Sequence, residues 1–414
     1  DCNVKRAIHA CKPNLWYNAA MKKKIGILPK LFLAIALGAV IGLYSPAWVM
    51  RSLNCFRDTF GQFVKFFVPF IIIGLVTPAI ADTGRTAGRT LLITMGIAYA
   101  STLLAGYFAY GVSCGVFPAI MSDGLQNVAN QKFPAYFSIK IPPLMDVRTA
   151  LAAAFLIGLG IVASKAELLE RASHELRDIV SRALGTVFVP LLPLYILATM
   201  ADITGSGCLA SVGSGCLKIM GMALVTTTVV LILQFVIAGI VARRNPFKAL
   251  WTMLPAYLTG WGCCSSAATI PYTLAQTRKN GVSKETAELV IPLCVNVHLA
   301  GSMANMVIYA AGLAVLAGDS LPFGAYTEYI LMVSITAVAS PGVPGGVVLA
   351  CSSIAQAALG FPQERYDIMV AIYMALDGMG TACNLTGDGA IALIVDKFRR
   401  RADGATGKMP VVPA

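Results

Sequence analysis

The feature that most constrains this chain is a stretch near its carboxyl end that is apolar enough to cross a membrane yet carries two carboxylates. The stretch reads YMALDGMGTACNLTGDGAIALIV from Tyr373 to Val395, and its polar stripe is Asp377, Thr381, Asn384 and Asp388. At 3.6 residues per turn these four positions share one helix face over roughly 16 Å. A carboxylate at the centre of a bilayer helix costs about 3 kcal/mol, so two on one face indicate a protein-lined site that uses them. The alternative is one aspartate at a helix end and another paired with a nearby Lys or Arg.

Composition places the chain among membrane proteins. Hydrophobic residues make up 57% of the 414 residues and charged residues only 13%, too few to cover a soluble surface. The net charge of +12 sits in short Lys/Arg clusters beside apolar runs, which is the pattern of loops that set membrane topology. We therefore predict a polytopic protein of the lipid bilayer that binds no nucleic acid.

The amino-terminal residues and the cysteines carry little functional information. Residues 1–20 have neither an apolar core nor a small-residue cleavage site, and Met21 followed by three lysines is a more natural start. We expect residues 1–24 to be an extension that arose in part from a misplaced translation start. The 11 cysteines lack metal-binding spacing. Cys208 and Cys216 are compatible with an external disulfide and equally with free thiols.

Apolar runs predict an all-α protein with about eight transmembrane helices. They lie near residues 27–48, 60–81, 90–119, 149–164, 184–202, 219–242, 286–317 and 366–396. Two further apolar segments, near 250–275 and 331–361, are broken by Ser, Pro and Gly at GCCSSAATIP and ASPGVPGG. Each is predicted to be a re-entrant helical hairpin, with a kinked helix as the alternative.

Basic residues predict the orientation of these helices. The clusters are Lys22–Lys24, Arg85 with Arg89, Lys165–Arg182, Arg243–Lys248 and Lys397–Arg401. Counting spans places all of them on one side, which the positive-inside rule makes cytoplasmic. Both termini are then cytoplasmic, and the two hairpins enter from opposite sides as an inverted pair. Where the hairpin helices are interrupted, free backbone N–H and C=O groups can bind a carboxylate and cations beside the polar stripe.

The order of these parts resembles the dicarboxylate/amino acid:cation symporter family, the glutamate transporter homologues. NLTGD at 384–388 is similar to the family's NVTGD, and SPGVPG at 340–345 to its AGVPG. The chain also has a serine-rich hairpin tip at Ser265 and a polar helix break near His298, which occur in the same order in the family. The resemblance covers about residues 25–400 and is strongest over 264–390. It implies a homotrimer in the plasma membrane, the inner membrane of a bacterium, with an elevator-like movement.

The resemblance also implies the roles of individual residues. Those implied for substrate binding are Ser265, Ser266, Ser302, Gly342, Val343, Asp377, Thr381 and Asn384. Those implied for cation binding are Ser101, Thr102, Asn384 and Asp388, with Asp388 as the Na⁺ ligand. In the family, the serines meet the α-carboxylate and the position of Asp377 holds the α-ammonium, as charge complementarity requires. Residues 342–346 are expected to close over the substrate.

The resemblance further implies a division of the chain. Residues 25–248 form mainly scaffold helices, with parts that pack on the transport domain. Residues 249–400 form the transport core, which contains both hairpins and the seventh and eighth helices. Residues 401–414 form a cytoplasmic tail.

Two departures from the family concern the substrate. Members that carry acidic amino acids have an arginine where this chain has Gly380, and some have one where it has Cys264. A second substrate carboxylate would then be buried unpaired, so we predict a small neutral amino acid such as serine, threonine or alanine. An acidic amino acid or dicarboxylate is the alternative if Lys65 or Arg278 reaches the site.

Another departure concerns the coupling ion. The family's Asn-Met-Asp-Gly-Thr is replaced by His298 to Ser302, in which Leu299 and Ala300 offer no side-chain oxygen for sodium. Asp388 with backbone carbonyls still offers a site for one ion. His298 at the helix break is also a proton site, which would make H⁺ the coupling ion. A neutral histidine bonded to a carbonyl is the alternative. No cofactor other than Na⁺ or H⁺ is expected.

Two other classes of function are alternatives. A membrane enzyme would use Cys263 or Cys264 with His298, but no oxyanion site or leaving-group acid accompanies them. An uncoupled channel or a substrate sensor would account for the missing cation ligands. Active accumulation of substrate distinguishes a transporter from both, and we predict a transporter that is not an enzyme.

Overall fold

The computed structural model describes residues 27–85, 89–121, 133–206, 209–338, 340 and 345–405. The predicted amino-terminal extension, Cys208, Gly342 and Val343 lie outside these residues. So does the tail beyond residue 405.

Regular structure in the described residues is entirely helical. The helices are α1 (Ile27–Tyr44), α2 (Ala47–Arg85), α3 (Arg89–Ile120), α4 (Val147–Ser164), α5 (Glu167–Ala183), α6 (Val189–Gly205), α7 (Leu209–Ala242), α8 (Pro246–Cys263), α9 (Ser266–Lys279), α10 (Lys284–Val297), α11 (Ala300–Leu316), α12 (Phe323–Val338), α13 (Gly346–Ala350), α14 (Ser352–Leu359) and α15 (Gln363–Ala405). A π-helical turn, Leu184–Phe188, connects α5 to α6.

Seven described helical stretches are long and apolar enough to cross a membrane. They are Ala47–Asp82, Thr90–Ile120, Val147–Ser164, Glu167–Gly205, Gly213–Ala242, Lys284–Leu316 and Gln363–Arg400. The first predicted span corresponds to α1, whose apolar part from Leu33 to Tyr44 is shorter. The prediction of an all-α polytopic membrane protein is confirmed.

Burial separates the helices that carry the polar residues from those that face outward. The apolar windows of Lys284–Leu316 and Gln363–Arg400 are 94% and 89% buried, against 28% for Thr90–Ile120. Protein surrounds the first two stretches, so their polar groups can find protein partners in place of lipid. This explains why the aspartates of α15 are tolerated.

The first broken segment is an antiparallel helical hairpin. Helices α8 and α9 are joined only by Cys264 and Ser265, and far from that tip Asn280 Nδ2 donates to the Ala249 carbonyl at 2.9 Å. Cys264 has a left-handed backbone with φ of 51° and donates its N–H to the Gly260 carbonyl at 3.0 Å, which ends α8.

The second broken segment also folds back on itself, because α12 packs against α13 and α14. The tip between Val338 and Gly345 is described only at Ser340. That the two hairpins are re-entrant, and the side from which each enters the membrane, stay predictions.

A buried ionic cluster connects α15 to helices near the amino terminus. Arg57 on α2 lies 2.8 Å from Asp202 Oδ2 on α6 and 3.8 Å from Asp367 Oδ2 on α15. Asn54 Nδ2 donates to the other oxygen of Asp202 at 2.8 Å, and Tyr195 donates to Asp367. Each buried carboxylate therefore has a protein partner. The division into scaffold and transport core stays a prediction.

Candidate functional site

The predicted polar break in the seventh span lies between α10 and α11. His298 ends α10 with an extended backbone, φ −97° and ψ 99°, and Leu299 precedes the first residue of α11. Such a break frees backbone groups from the helix. Thr102 on α3 satisfies one of them, because its hydroxyl accepts from the Leu299 N–H at 3.0 Å.

Asn384 of the stripe caps the start of α11. Its Oδ1 accepts from the N–H groups of Gly301 at 2.8 Å and Ser302 at 3.2 Å, and its Nδ2 donates to Ser302 Oγ at 2.8 Å. Both lone pairs of the amide oxygen are thereby used, and one N–H is left over. In this arrangement the remaining N–H of Asn384 can donate a hydrogen bond to a ligand. Its oxygen is already occupied and is not available to a cation.

Helices α11 and α15 approach closely beside this cap. A Cβ atom at Gly301 would lie 2.5 Å from Cys383 Cβ and 2.7 Å from the Gly380 carbonyl oxygen. Glycine is required because any side chain here would push the two helices apart. Because α11 and α15 lie so close together, residues of both helices line one side of the same cavity.

A cavity of about 120 Å³ lies where the first hairpin, α11, α13 and α15 meet. Its lining includes five of the predicted substrate residues, which are Ser266, Ser302, Asp377, Thr381 and Asn384. Ser265 is the N-cap residue of α9 and is absent from the lining. Cys264 lines the cavity, but neither Lys65 nor Arg278 does. The described lining contains one carboxylate, several hydroxyl groups and no basic side chain.

Asp377 connects the cavity to the second hairpin. The N–H of Gly345 donates to Asp377 Oδ2 at 2.8 Å, and Asp377 is only 6% exposed. Gly345 has φ of 74°, a backbone conformation that favours glycine. Tyr373, one turn earlier on α15, lines the same cavity as Asp377. The carboxylate is therefore held in place beside the predicted substrate position.

Asp388 forms a second group with His298 and two residues from other helices. His298 Nδ1 lies 2.9 Å from Asp388 Oδ1, and both side chains are fully buried. On the other side of the ring, His298 Nε2 lies 3.1 Å from Ser101 Oγ and 3.0 Å from Gln234 Nε2. An amide nitrogen can only donate, so with this amide orientation Nε2 accepts and Nδ1 donates its proton to Asp388.

The other carboxylate oxygen of Asp388 has capacity for a ligand. Asp388 Oδ2 is buried and has no hydrogen-bond partner within the described part of the chain. A buried carboxylate oxygen is usually satisfied, so this atom is available to a cation. Two hydroxyl residues of α3 were also predicted to bind a cation. Ser101 contacts His298 in the group around Asp388, whereas the hydroxyl of Thr102 accepts from the Leu299 N–H.

Sequence reasoning missed Gln234, which contacts His298, and Tyr373, which lines the cavity. Gln234 is an amide inside an apolar run of α7, and the cost of an unpaired amide in a bilayer is a signal that indicates a partner. Tyr373 stands four residues before Asp377 and therefore on the same helix face.

The enzyme alternative finds no support in this geometry. His298 contacts Asp388, Ser101 and Gln234. The thiol of Cys264 instead donates to the Trp261 carbonyl at 3.6 Å. Among described residues, no hydrogen bond joins either tip cysteine to the histidine.

Comparison with known proteins gives a family for the chain. The sequence model described as "Sodium:dicarboxylate symporter family" matches residues 27–398. The chain is 24% identical to the "Proton/sodium-glutamate symport protein" of Bacillus subtilis (strain 168), over 91% of this chain and 93% of the relative. It is 22% identical to the "Serine/threonine transporter SstT" of Acinetobacter baumannii (strain AYE), over 90% and 97%. It is 28% identical to the "Neutral amino acid transporter B(0)" of Mus musculus, over 41% and 30%.

Proposed function

Since this chain belongs to the sodium:dicarboxylate symporter family, we propose that it is a secondary active transporter that carries a small neutral amino acid together with Na⁺ or H⁺. The observation that carries this proposal is the cavity of about 120 Å³ lined by Asp377 and Ser266 without a described basic side chain. Membership in the family supports cation-coupled symport, and the relatives' names include both acidic and neutral substrates.

The two ends of the cavity match the two charges of an amino-acid backbone. Asp377 provides a carboxylate for an α-ammonium group. Ser266 is the first residue of α9, where unpaired backbone N–H groups and the helix dipole favour an α-carboxylate. A small side chain would then face Ser302 and Thr381.

The absence of a cation from the described lining favours a neutral side chain. A second carboxylate in this cavity would lose its water without gaining a positive partner. Glutamate, aspartate or another dicarboxylate is the alternative substrate, and a residue outside the described part of the hairpin tip would have to compensate its charge.

The buried group around Asp388 is the proposed site of the coupling ion. The unpartnered Oδ2 of Asp388 supports a bound Na⁺. The contact between His298 Nδ1 and Asp388 Oδ1 supports a proton carried by this pair. In either case the positive charge compensates Asp388, which is costly to leave uncompensated in a buried site.

Coupling follows from closure of the second hairpin. The hydrogen bond from Gly345 to Asp377 makes closure of this hairpin depend on the state of that carboxylate. We propose that the hairpin closes stably only with substrate and ion both present, because a partly filled site leaves a buried carboxylate uncompensated. The elevator-like movement, the homotrimer, the plasma membrane location and cytoplasmic termini are proposed from the family resemblance.

The test is transport by the purified protein in liposomes. Uptake of labelled serine and labelled glutamate is measured under separately imposed Na⁺ and H⁺ gradients, with Asp377→Asn as the matched inactive variant. Serine accumulation against its gradient supports the proposal, and the gradient that drives it identifies the ion. Glutamate accumulation without serine accumulation contradicts the neutral substrate. Equilibration of serine without accumulation under either gradient indicates a channel.

A further inference from the structure

The base of the first hairpin, far from its tip, is where several connections meet. Asn280 Nδ2 donates to the Ala249 carbonyl at 2.9 Å, which brings the end of α9 to the start of α8. Arg244, before α8, and Arg400, near the end of α15, both donate to the Gly281 carbonyl, at 3.3 and 3.1 Å. The α7–α8 connection, the turn after α9 and the end of α15 therefore lie side by side.

This base lies at a membrane surface. Helical stretches that are long and apolar enough to cross a membrane begin or end here, namely Gly213–Ala242, Lys284–Leu316 and Gln363–Arg400. Two large aromatic side chains are exposed beside these ends, Phe247 at 64% and Trp251 at 75%. Exposed aromatic residues are typical of the boundary between hydrocarbon and lipid headgroups. Headgroups are therefore the groups that surround the base of the hairpin.

Basic side chains at this base have no acidic residue beside them in the sequence. The chain contains no Asp or Glu between Asp202 and Glu285. The exposed basic residues of the base form no ion pair with any carboxylate that the structure describes. We name them the basic patch, and they are Arg243, Lys248, Arg278 and Lys279. Unpaired positive charges repel one another, and an anion bound among them removes that repulsion.

The basic residues of α5 differ, because acidic residues accompany them. Arg171 follows Glu167 by four positions, and Arg182 follows Asp178 by four, so opposite charges are neighbours on the helix surface. Both clusters satisfy the rule that basic residues gather on one side of the membrane. Membrane topology alone therefore does not account for the unpaired charge of the basic patch.

We propose that the basic patch binds the anionic headgroup of a membrane phospholipid, whose acyl chains lie along Phe247 and Trp251. Lys and Arg donate charge-assisted hydrogen bonds to phosphate oxygens, and exposed basic residues at a membrane surface attract anionic lipids. The bound headgroup holds the start of α8 and the end of α9 together at the membrane surface. This inference goes beyond the proposed function and does not depend on which substrate is carried.

The experiment measures lipid binding to the purified full-length protein in detergent. Short-chain phosphatidylglycerol is titrated, with phosphatidylcholine of the same chain length as the neutral probe, and bound lipid is counted by mass spectrometry. The wild-type protein should bind the anionic lipid more tightly, and its midpoint of thermal unfolding should rise.

Paired substitutions locate the binding site. Lys248→Gln combined with Lys279→Gln should weaken binding by about tenfold or more, since each basic residue near an anionic membrane surface contributes about fivefold. The matched control, Arg171→Gln combined with Arg182→Gln, removes the same charge from α5 and should leave binding within about twofold. Equal loss in the two double variants overturns the inference, as does equal binding of phosphatidylcholine.

A further measurement needs no variant. Because the contact is ionic, raising the salt concentration from about 0.1 M to about 1 M should release phosphatidylglycerol from the wild-type protein, and binding that survives overturns the inference. Equal stabilisation by inorganic phosphate would show a site for free anions and also overturns it. No readout here involves amino-acid uptake, so failure of this inference is distinguishable from failure of the proposed function.

Discussion

His298 Nδ1 lies 2.9 Å from Asp388 Oδ1, and both side chains are fully buried. The pair joins the break between α10 and α11 to the stripe of α15. Ser101 and Gln234 hold the opposite side of the ring. The histidine is therefore fixed by groups from three other helices, an arrangement suited to a site that exchanges an ion.

His298→Asn tests whether a proton is the coupling ion. If the pair carries H⁺, wild-type uptake should rise as external pH falls, and the variant should lose uptake driven by a pH gradient alone. Serine uptake under imposed pH gradients is the measurement. His174→Asn is the matched control, because His174 pairs with Asp82 at 3.3 Å near the surface. Retention of pH-driven uptake in His298→Asn would contradict proton coupling through this residue.

Asp377→Asn tests the site for the substrate ammonium. The amide keeps the shape of the side chain and an oxygen for the Gly345 N–H, but it removes the negative charge. We expect serine uptake to fall by roughly 100-fold, since hydrogen bonds to charged groups contribute about 1.5–3 kcal/mol. Thermal unfolding in detergent should stay close to wild type.

The control for Asp377 is an aspartate far from the cavity. Asp319→Asn alters a side chain that is 51% exposed and paired with Arg365, and uptake should persist. Normal uptake in Asp377→Asn would refute the assignment.

Arg57→Met tests the buried ionic cluster. The change leaves Asp202 and Asp367 without their shared cation, and breaking a buried pair costs about 3–5 kcal/mol. We expect a clear fall in the midpoint of thermal unfolding. Arg148→Met is the matched control, because Arg148 is 60% exposed in its 2.6 Å pair with Glu328 and such pairs contribute about 0–1 kcal/mol. Equal effects of the two changes would show that the cluster contributes little.

Gly301→Ala tests the close approach of α11 to α15. The added methyl group would meet Cys383 Cβ and the Gly380 carbonyl at 2.5 and 2.7 Å, so the helices must separate. Overpacking of this kind costs about 1–3 kcal/mol and should also lower serine affinity by distorting the cavity wall. Gly111→Ala on α3 meets no atom within 4 Å and should change neither property. Unaltered binding and stability in Gly301→Ala would contradict the tight contact.

Much of the fold was predictable because the signals are local. Apolar runs placed the membrane helices, and the spacing of Asp377 to Asp388 placed four polar residues on one face. The break at His298 was also predicted, as the polar break in the order of parts that resembles the family. The resemblance implied substrate-binding roles for eight residues, of which five line one cavity.

The sequence by itself determined the membrane class, the helical architecture and the polar stripe, because apolar length and helical period are properties of neighbouring residues. Only the tertiary structure decided that Gln234 and Ser101 meet His298 from 64 and 197 positions away. It also decided that Asn384 caps α11. Hydrogen bonds between helices depend on their relative rotation and separation, which long-range packing sets and no local pattern encodes.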